Sequence, residues 1–75
     1  MRYQGSPRFD RSIRRLDSLQ RQAVQEALEQ LAAAFETGQV PLGLGLKQLR
    51  PGLWECRAGL SERILFFRHR DTVEF

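Results

Sequence analysis

Two arginines, Arg57 and Arg63, stand on either side of a short turn, Gly59-Leu60-Ser61, that brings them close. Each guanidinium is a planar fork of N–H donors that matches the oxygens of phosphate or carboxylate. The same residues also fit an ordinary solvated sheet face. There Arg57 and Glu55 would meet Arg63 and Glu62 across the hairpin, in pairs worth a few tenths to about one kcal/mol. His69 has the unperturbed pKa, about 6.5, that suits a general base, but it lies in a turn between Arg68 and Arg70. Cys56 and His69 are the only cysteine and histidine, which rules out an internal disulfide and is too few for a zinc site. Neither a metal nor a cofactor is expected.

The elements that must position these side chains follow from periodicity. Leu53–Ala58 and Glu62–Arg68 are short runs rich in large apolar residues, spaced as the arms of a β-hairpin. Alternation turns Trp54 and Cys56 one way and Glu55 and Arg57 the other. In the second arm Ile64 and Phe66 share a face, and Arg63, Leu65 and Phe67 take the opposite one. Trp54 is expected as a core anchor and Cys56 as a small buried apolar residue.

Upstream, Ser6-Pro7 is a helix entry, and Phe9, Ile13 and Leu16 recur on one helical face. Asp17-Ser18 reads as a turn, with Ser18 as a simple cap for a second helix. Leu19–Phe35 carries an apolar stripe of Val24, Ala27, Leu28, Leu31 and Phe35, and Gly38 supplies a left-handed C-cap. Two helices this close in sequence are expected to form an antiparallel hairpin. Residues 38–46, GQVPLGLGL, read as a loop; their glycines lack the spacing of a phosphate cradle or a dinucleotide fold. Met1–Gly5 fits either an edge strand or a frayed end. Thr72–Phe75 begins a last strand. The expected fold is α+β: a helix hairpin covering one face of a three-stranded antiparallel meander, in one domain over 1–75.

At 75 residues the chain is small, and a domain of that size buries only about 60–65% of its unfolded surface. Stabilisation by a second protein chain is therefore expected. No apolar run reaches the roughly 20 residues of a membrane span, and no membrane partner is expected. A cytoplasmic setting is the simplest reading. Net charge is +3, and eleven of the twelve cations are arginine. Residues 1–21 hold six arginines against two aspartates, whereas 22–46 hold three glutamates and no cation. This favours an RNA, DNA or acidic-protein partner, although arginine-for-lysine bias also arises from GC-rich coding.

The segment from Lys47 supplies a further reading. K-x-L-x-x-G-L-W-E-x-R (Lys47, Leu49, Gly52, Leu53, Trp54, Glu55, Arg57), a short turn, then E-R-I-L-F-F through Arg63, Ile64, Leu65 and Phe66, follows two helices. In that order it resembles the RelE/ParE superfamily of bacterial toxins, nearest its phage-derived, HigB-like branch. The resemblance runs from Phe9 to Phe75. It implies the toxin half of a type II toxin–antitoxin pair, with a cognate antitoxin as partner. RelE-like members cut mRNA on the ribosome without a metal, and ParE-like members act on DNA gyrase. For the RNA-cutting reading the resemblance makes Arg63 the stabiliser of the reacting phosphate and Arg57 a second clamp. Lys47, Arg50 and Arg68 would bind the RNA backbone. Family members usually carry a further strand or tail beyond the position of Phe75, so the resemblance implies either a sequence truncated before that strand or a degenerate member that has lost activity. The alternative is therefore a non-catalytic binding module, either gyrase-directed or a relic that only binds an antitoxin. A third expectation is an oligomer paired through an open edge at Thr72–Phe75.

Overall fold

In a computed structural model describing residues 1–75, the alternating apolar runs form the expected hairpin. Its arms are β3 (Leu53–Ala58) and β4 (Glu62–His69), and Cys56 pairs with Ile64, Trp54 with Phe66 and Arg57 with Arg63. The sheet around it is larger than a meander. β1 (Arg2–Gln4), β2 (Lys47–Arg50) and β5 (Thr72–Glu74) complete five strands in the order β1-β5-β4-β3-β2. Three pairings are antiparallel, but β1 runs parallel to β5, so the sheet is mixed.

That parallel strand decides one open alternative and corrects one expectation. Met1–Gly5 is no frayed end: the Arg2 N–H donates to the Asp71 carbonyl at 2.6 Å, and the Phe75 N–H donates to Gln4 at 2.8 Å. Thr72–Glu74 is consequently an inner strand between β4 and β1, not the open edge through which an oligomer was expected. No sequence pattern in three polar residues, RYQ, distinguishes an edge strand from a tail; the neighbour across the sheet decides it.

Two helices lie between β1 and β2. Ser6 caps α1 (Pro7–Arg14) as expected, its Oγ accepting from the Phe9 N–H at 3.0 Å. The cap of α2 (Ser18–Thr37) is Asp17, not Ser18. Asp17 Oδ1 accepts from the Gln20 N–H at 2.8 Å, and Gln20 Oε1 accepts from the Asp17 N–H at 3.0 Å. Asp17 with Gln20 three residues later is a full capping box, which a simple serine cap one residue on cannot match. Gln20 Nε2 also donates to Glu62 at 2.9 Å, tying the start of α2 to β4. Gly38, at φ 77°, closes the helix by donating its N–H to the Ala34 carbonyl.

The helices share the work unequally. α2 alone contributes fully buried residues, Val24, Ala27, Leu31 and Ala34, and α1 leans half-buried Phe9, Ile13 and Leu16 on the same core. Ile64, Phe66, Cys56, Ala58 and Val73 meet α2 from the sheet. Leu44, in a single 3₁₀ turn (Leu42–Leu44) within the glycine-rich loop, plugs the core from the side. No helix is long and apolar enough to cross a membrane.

Cys56 is fully buried, and that burial, helped by the adjacent Glu55 charge, pushes its thiol up to about 11. A folded-state value above the unfolded one, near 9, means that the stabilisation is complete below pH 9 and is lost as pH rises through 11. Two units correspond to about 3 kcal/mol at most. Urea melts of the wild type should therefore weaken between pH 9 and 11 more steeply than those of Cys56→Ala. Parallel pH profiles for the two proteins would contradict the assignment.

Candidate nucleic-acid interface

Partners across a ladder share a face, so register alone assigns the outer side of the sheet, opposite α2. It carries Leu53, Glu55 and Arg57 from β3, and Arg63, Leu65, Phe67 and His69 from β4. β2 adds Lys47 opposite Glu55, and a bulge at Leu49 sets Arg50 opposite Leu53. Without the bulge Leu49 would take that place. β5 and β1 continue the face with Thr72, Glu74, Arg2 and Gln4.

The centre of interest is the Arg57–Arg63 pair. The Arg68 N–H donates to the Gly52 carbonyl across the β3 side, which fixes the phase of the ladder. Arg63, out of phase with Arg68, therefore forms a non-hydrogen-bonded pair with Arg57, the type with Cα atoms only about 4.5 Å apart. Like charges directly opposite each other destabilise a sheet. One carboxylate offsets them: Glu55 Oε1 lies 3.6 Å from Arg63 Nη1, in the only ion pair of the molecule. Arg57 has none. Its stem instead lies across Gly45, where an added Cβ would sit 3.0 Å from Cγ and 3.1 Å from Cδ, and where φ is +57°. Only glycine leaves room there for Arg57 to hold this course.

Beside the arginines is an apolar platform. Phe67 lies directly opposite Leu53, and Leu65 and Phe67 remain 54% and 51% exposed. Half-exposed apolar side chains flanked by guanidinium groups provide what single-stranded RNA needs, namely surfaces for bases and donors for phosphates.

Four of the five cations singled out from sequence, Arg57, Arg63, Lys47 and Arg50, share this face. Arg68 does not. It is in phase with Ile64 and Phe66, and its guanidinium lies 4.6 Å from the centre of the Phe35 ring on the helix side. Tyr3, on the same side in β1, has its hydroxyl pKa raised by burial and by the Glu36 charge, with Arg68 acting against them. Glu62 also faces the helices, bonded to Gln20, and so is not a partner for Arg57. His69 is on the outer face, but six residues of strand put it about 20 Å from Arg63. Sequence reasoning passed over Glu55 as a functional group. Its signal was the strict alternation that sets it between Lys47 and Arg63.

Comparison with known proteins gives no match: no family model, no curated protein and no solved structure is similar to this chain. No three His, Cys, Asp or Glu side chains come together as metal ligands.

Proposed function

We propose that this chain is the toxin component of a type II toxin–antitoxin pair, an endoribonuclease that cuts mRNA on the ribosome and stops translation. The observation that carries the reading is the Arg57–Arg63 pair, two arginines directly opposite each other in the ladder on the outer face, with the Glu55 carboxylate beside Arg63. An anion between them removes the repulsion, and a phosphodiester is the anion that two planar forks fit best. Lys47 and Arg50 extend the positive surface along β2, and Leu65 and Phe67 offer faces to bases. The resemblance of the run from Lys47 to Phe66 to the RelE/ParE superfamily gives the reading its toxin context.

In this mechanism the 2′-hydroxyl of the RNA attacks the adjacent phosphorus, and the bond from phosphorus to the 5′-oxygen breaks. The products are a 2′,3′-cyclic phosphate and a 5′-hydroxyl. Glu55 is the carboxylate placed to take the 2′-hydroxyl proton, and solvent protonates the leaving oxygen. Arg63 and Arg57 stabilise the charge that builds on the phosphorane, the effect that contributes most in such sites.

A translation extract programmed with a reporter mRNA and supplied with the purified chain tests this. Cleaved mRNA with cyclic phosphate ends is the expected result. Intact mRNA with undiminished synthesis would remove the enzyme reading. One observation favours the alternative of a binding module: Glu55 is already engaged by Arg63, and no imidazole lies near. Retention of RNA on the outer face without cleavage would select that reading, whereas gyrase inhibition without RNA binding would select a gyrase-directed module.

A further inference from the structure

Leu60 is the most exposed large apolar residue of the molecule, at 109%. It stands at the crown of the β3–β4 turn, between Gly59 and Ser61. The turn that carries it is braced from both sides by α2. Gly59, at φ +65°, lies so close to the helix that an added Cβ would sit 3.2 Å from Ala23 Cβ. On the other side Glu62 Oε1 accepts from Gln20 Nε2 at 2.9 Å. A leucine at a slack loop tip is ordinary, but this one is held out in water on a fixed support.

One rung of the ladder, Ala58–Glu62, separates this crown from the Arg57–Arg63 pair. At about 3.4 Å per residue along a strand, Leu60 lies roughly 7–10 Å beyond that pair, about the reach of one nucleotide. Every other group of the candidate site lies the opposite way along the strands. Lys47 and Leu65 flank Glu55 in the next outward-facing row, and Arg50 and Phe67 flank Leu53 in the row after. An RNA strand with one phosphate at the arginine pair and its bases over Leu65 and Phe67 must therefore bring its adjoining nucleotide to Leu60.

We infer that Leu60 is a wedge that opens the stack between the two nucleotides joined by the phosphate at Arg57 and Arg63. The inference rests on the RNA reading and adds the residue that prepares the bond for cleavage. In a stacked strand the 2′-hydroxyl lies beside the bond from phosphorus to the 5′-oxygen, not behind it. Swinging the adjoining base aside brings the 2′-oxygen, phosphorus and 5′-oxygen into line, the geometry that the attack requires. Leucine is among the side chains that part neighbouring bases in this way, provided that contacts elsewhere offset the lost stacking. Here the arginine pair supplies those contacts, and the brace from α2 keeps the wedge from yielding.

The test uses a single-stranded purine oligoribonucleotide carrying 2-aminopurine, which stacking quenches, at each position in turn. Saturating wild-type chain should raise its emission at one position of the bound run. Leu60→Ser removes no buried contact and should bind with nearly the same affinity, but leave that emission at the stacked level. In a translation extract it should cut mRNA about 10–100-fold more slowly, the scale of a small misplacement of reacting atoms. Leu60→Met keeps an apolar wedge and should keep both signals. Leu42→Ser, at an equally exposed leucine in the glycine-rich loop, should also change neither. Equal emission with wild type and Leu60→Ser would overturn the wedge while leaving the RNA reading in place, and so would equal cleavage by two active proteins. Weaker binding with a full rise at saturation also overturns it, since Leu60 is then a plain contact. A wild-type chain that binds no RNA removes the RNA reading itself, and the wedge with it.

Discussion

Arg63→Ala should lower mRNA cleavage by 10²–10³-fold, the usual cost of removing one preorganised donor to a transition state. It should do so with almost no loss of fold stability. The Arg63 side chain is 59% exposed, and its ion pair with Glu55 is of the surface kind, worth at most about 1 kcal/mol. Removing Arg63 also relieves the repulsion with Arg57 across the ladder, which acts in the opposite direction. A large kinetic effect beside a flat urea melt is therefore the signature of phosphate stabilisation. A purely structural arginine would give the reverse. RNA affinity adds a second readout, since each phosphate contact contributes about −0.7 to the slope of log K against log salt for single strands. Loss of one contact should flatten that slope by about that amount. Arg63→Lys keeps the charge but loses the fork, and should fall between wild type and Arg63→Ala. If Arg63→Ala cuts mRNA at the wild-type rate, the assigned role is wrong.

The parts of this molecule legible in the sequence are those set by local periodicity. Leu53–Ala58 and the start of β4 at Glu62 agree with the expected hairpin, because alternation and a three-residue turn leave one register that buries Cys56, Ile64 and Phe66 together. Helix α2 was legible for the same reason, through Val24, Ala27, Leu31 and Gly38. What escaped was non-local. β1 exists because β5 offers it an edge, and RYQ carries no apolar signal of its own. β2 was hidden by its bulge, which breaks alternation at Leu49 and moves Arg50 onto the outer face. The α2 cap moved to Asp17 because the reciprocal bond from Gln20 outweighs a lone hydroxyl.

The candidate site divides along the same line. Arg57 and Arg63 were paired from sequence because they flank a tight turn. Arg68 was grouped with Lys47 and Arg50 by charge, although its phase along β4 places it with Phe66 on the helix side. Counting charge ignores period two, and period two decides which arginines one ligand can touch. Gly45 was unreadable for a different reason. Its role is to leave space under Arg57, twelve residues away, and nothing in its own neighbourhood records that.

The largest effect on folding is expected at Phe66. Phe66→Ala should cost about 3–5 kcal/mol, the range for truncating a buried aromatic. The site is poorly placed to collapse around the loss. Phe66 is 1% exposed on β4, opposite Trp54 of β3, edge-on to Phe35 at 6.1 Å and tilted against Phe75 at 5.8 Å. Phe75 in turn stacks on Phe9 at 5.2 Å, so one ring links α2, β5 and α1. At roughly 0.05–0.15 kcal/mol per residue, a chain this short has about 4–11 kcal/mol in total. The variant should therefore sit near or past its unfolding midpoint at room temperature, visible as lost helical circular dichroism and a urea transition shifted toward zero. Phe67→Ala is the internal control: the next residue, the same chemistry, but half-exposed on the outer face. It should cost under about 1 kcal/mol and should weaken RNA binding instead. Greater destabilisation by Phe67→Ala than by Phe66→Ala would mean that the faces of β4 are assigned the wrong way round, and the arginine pair would then lie beneath the helices.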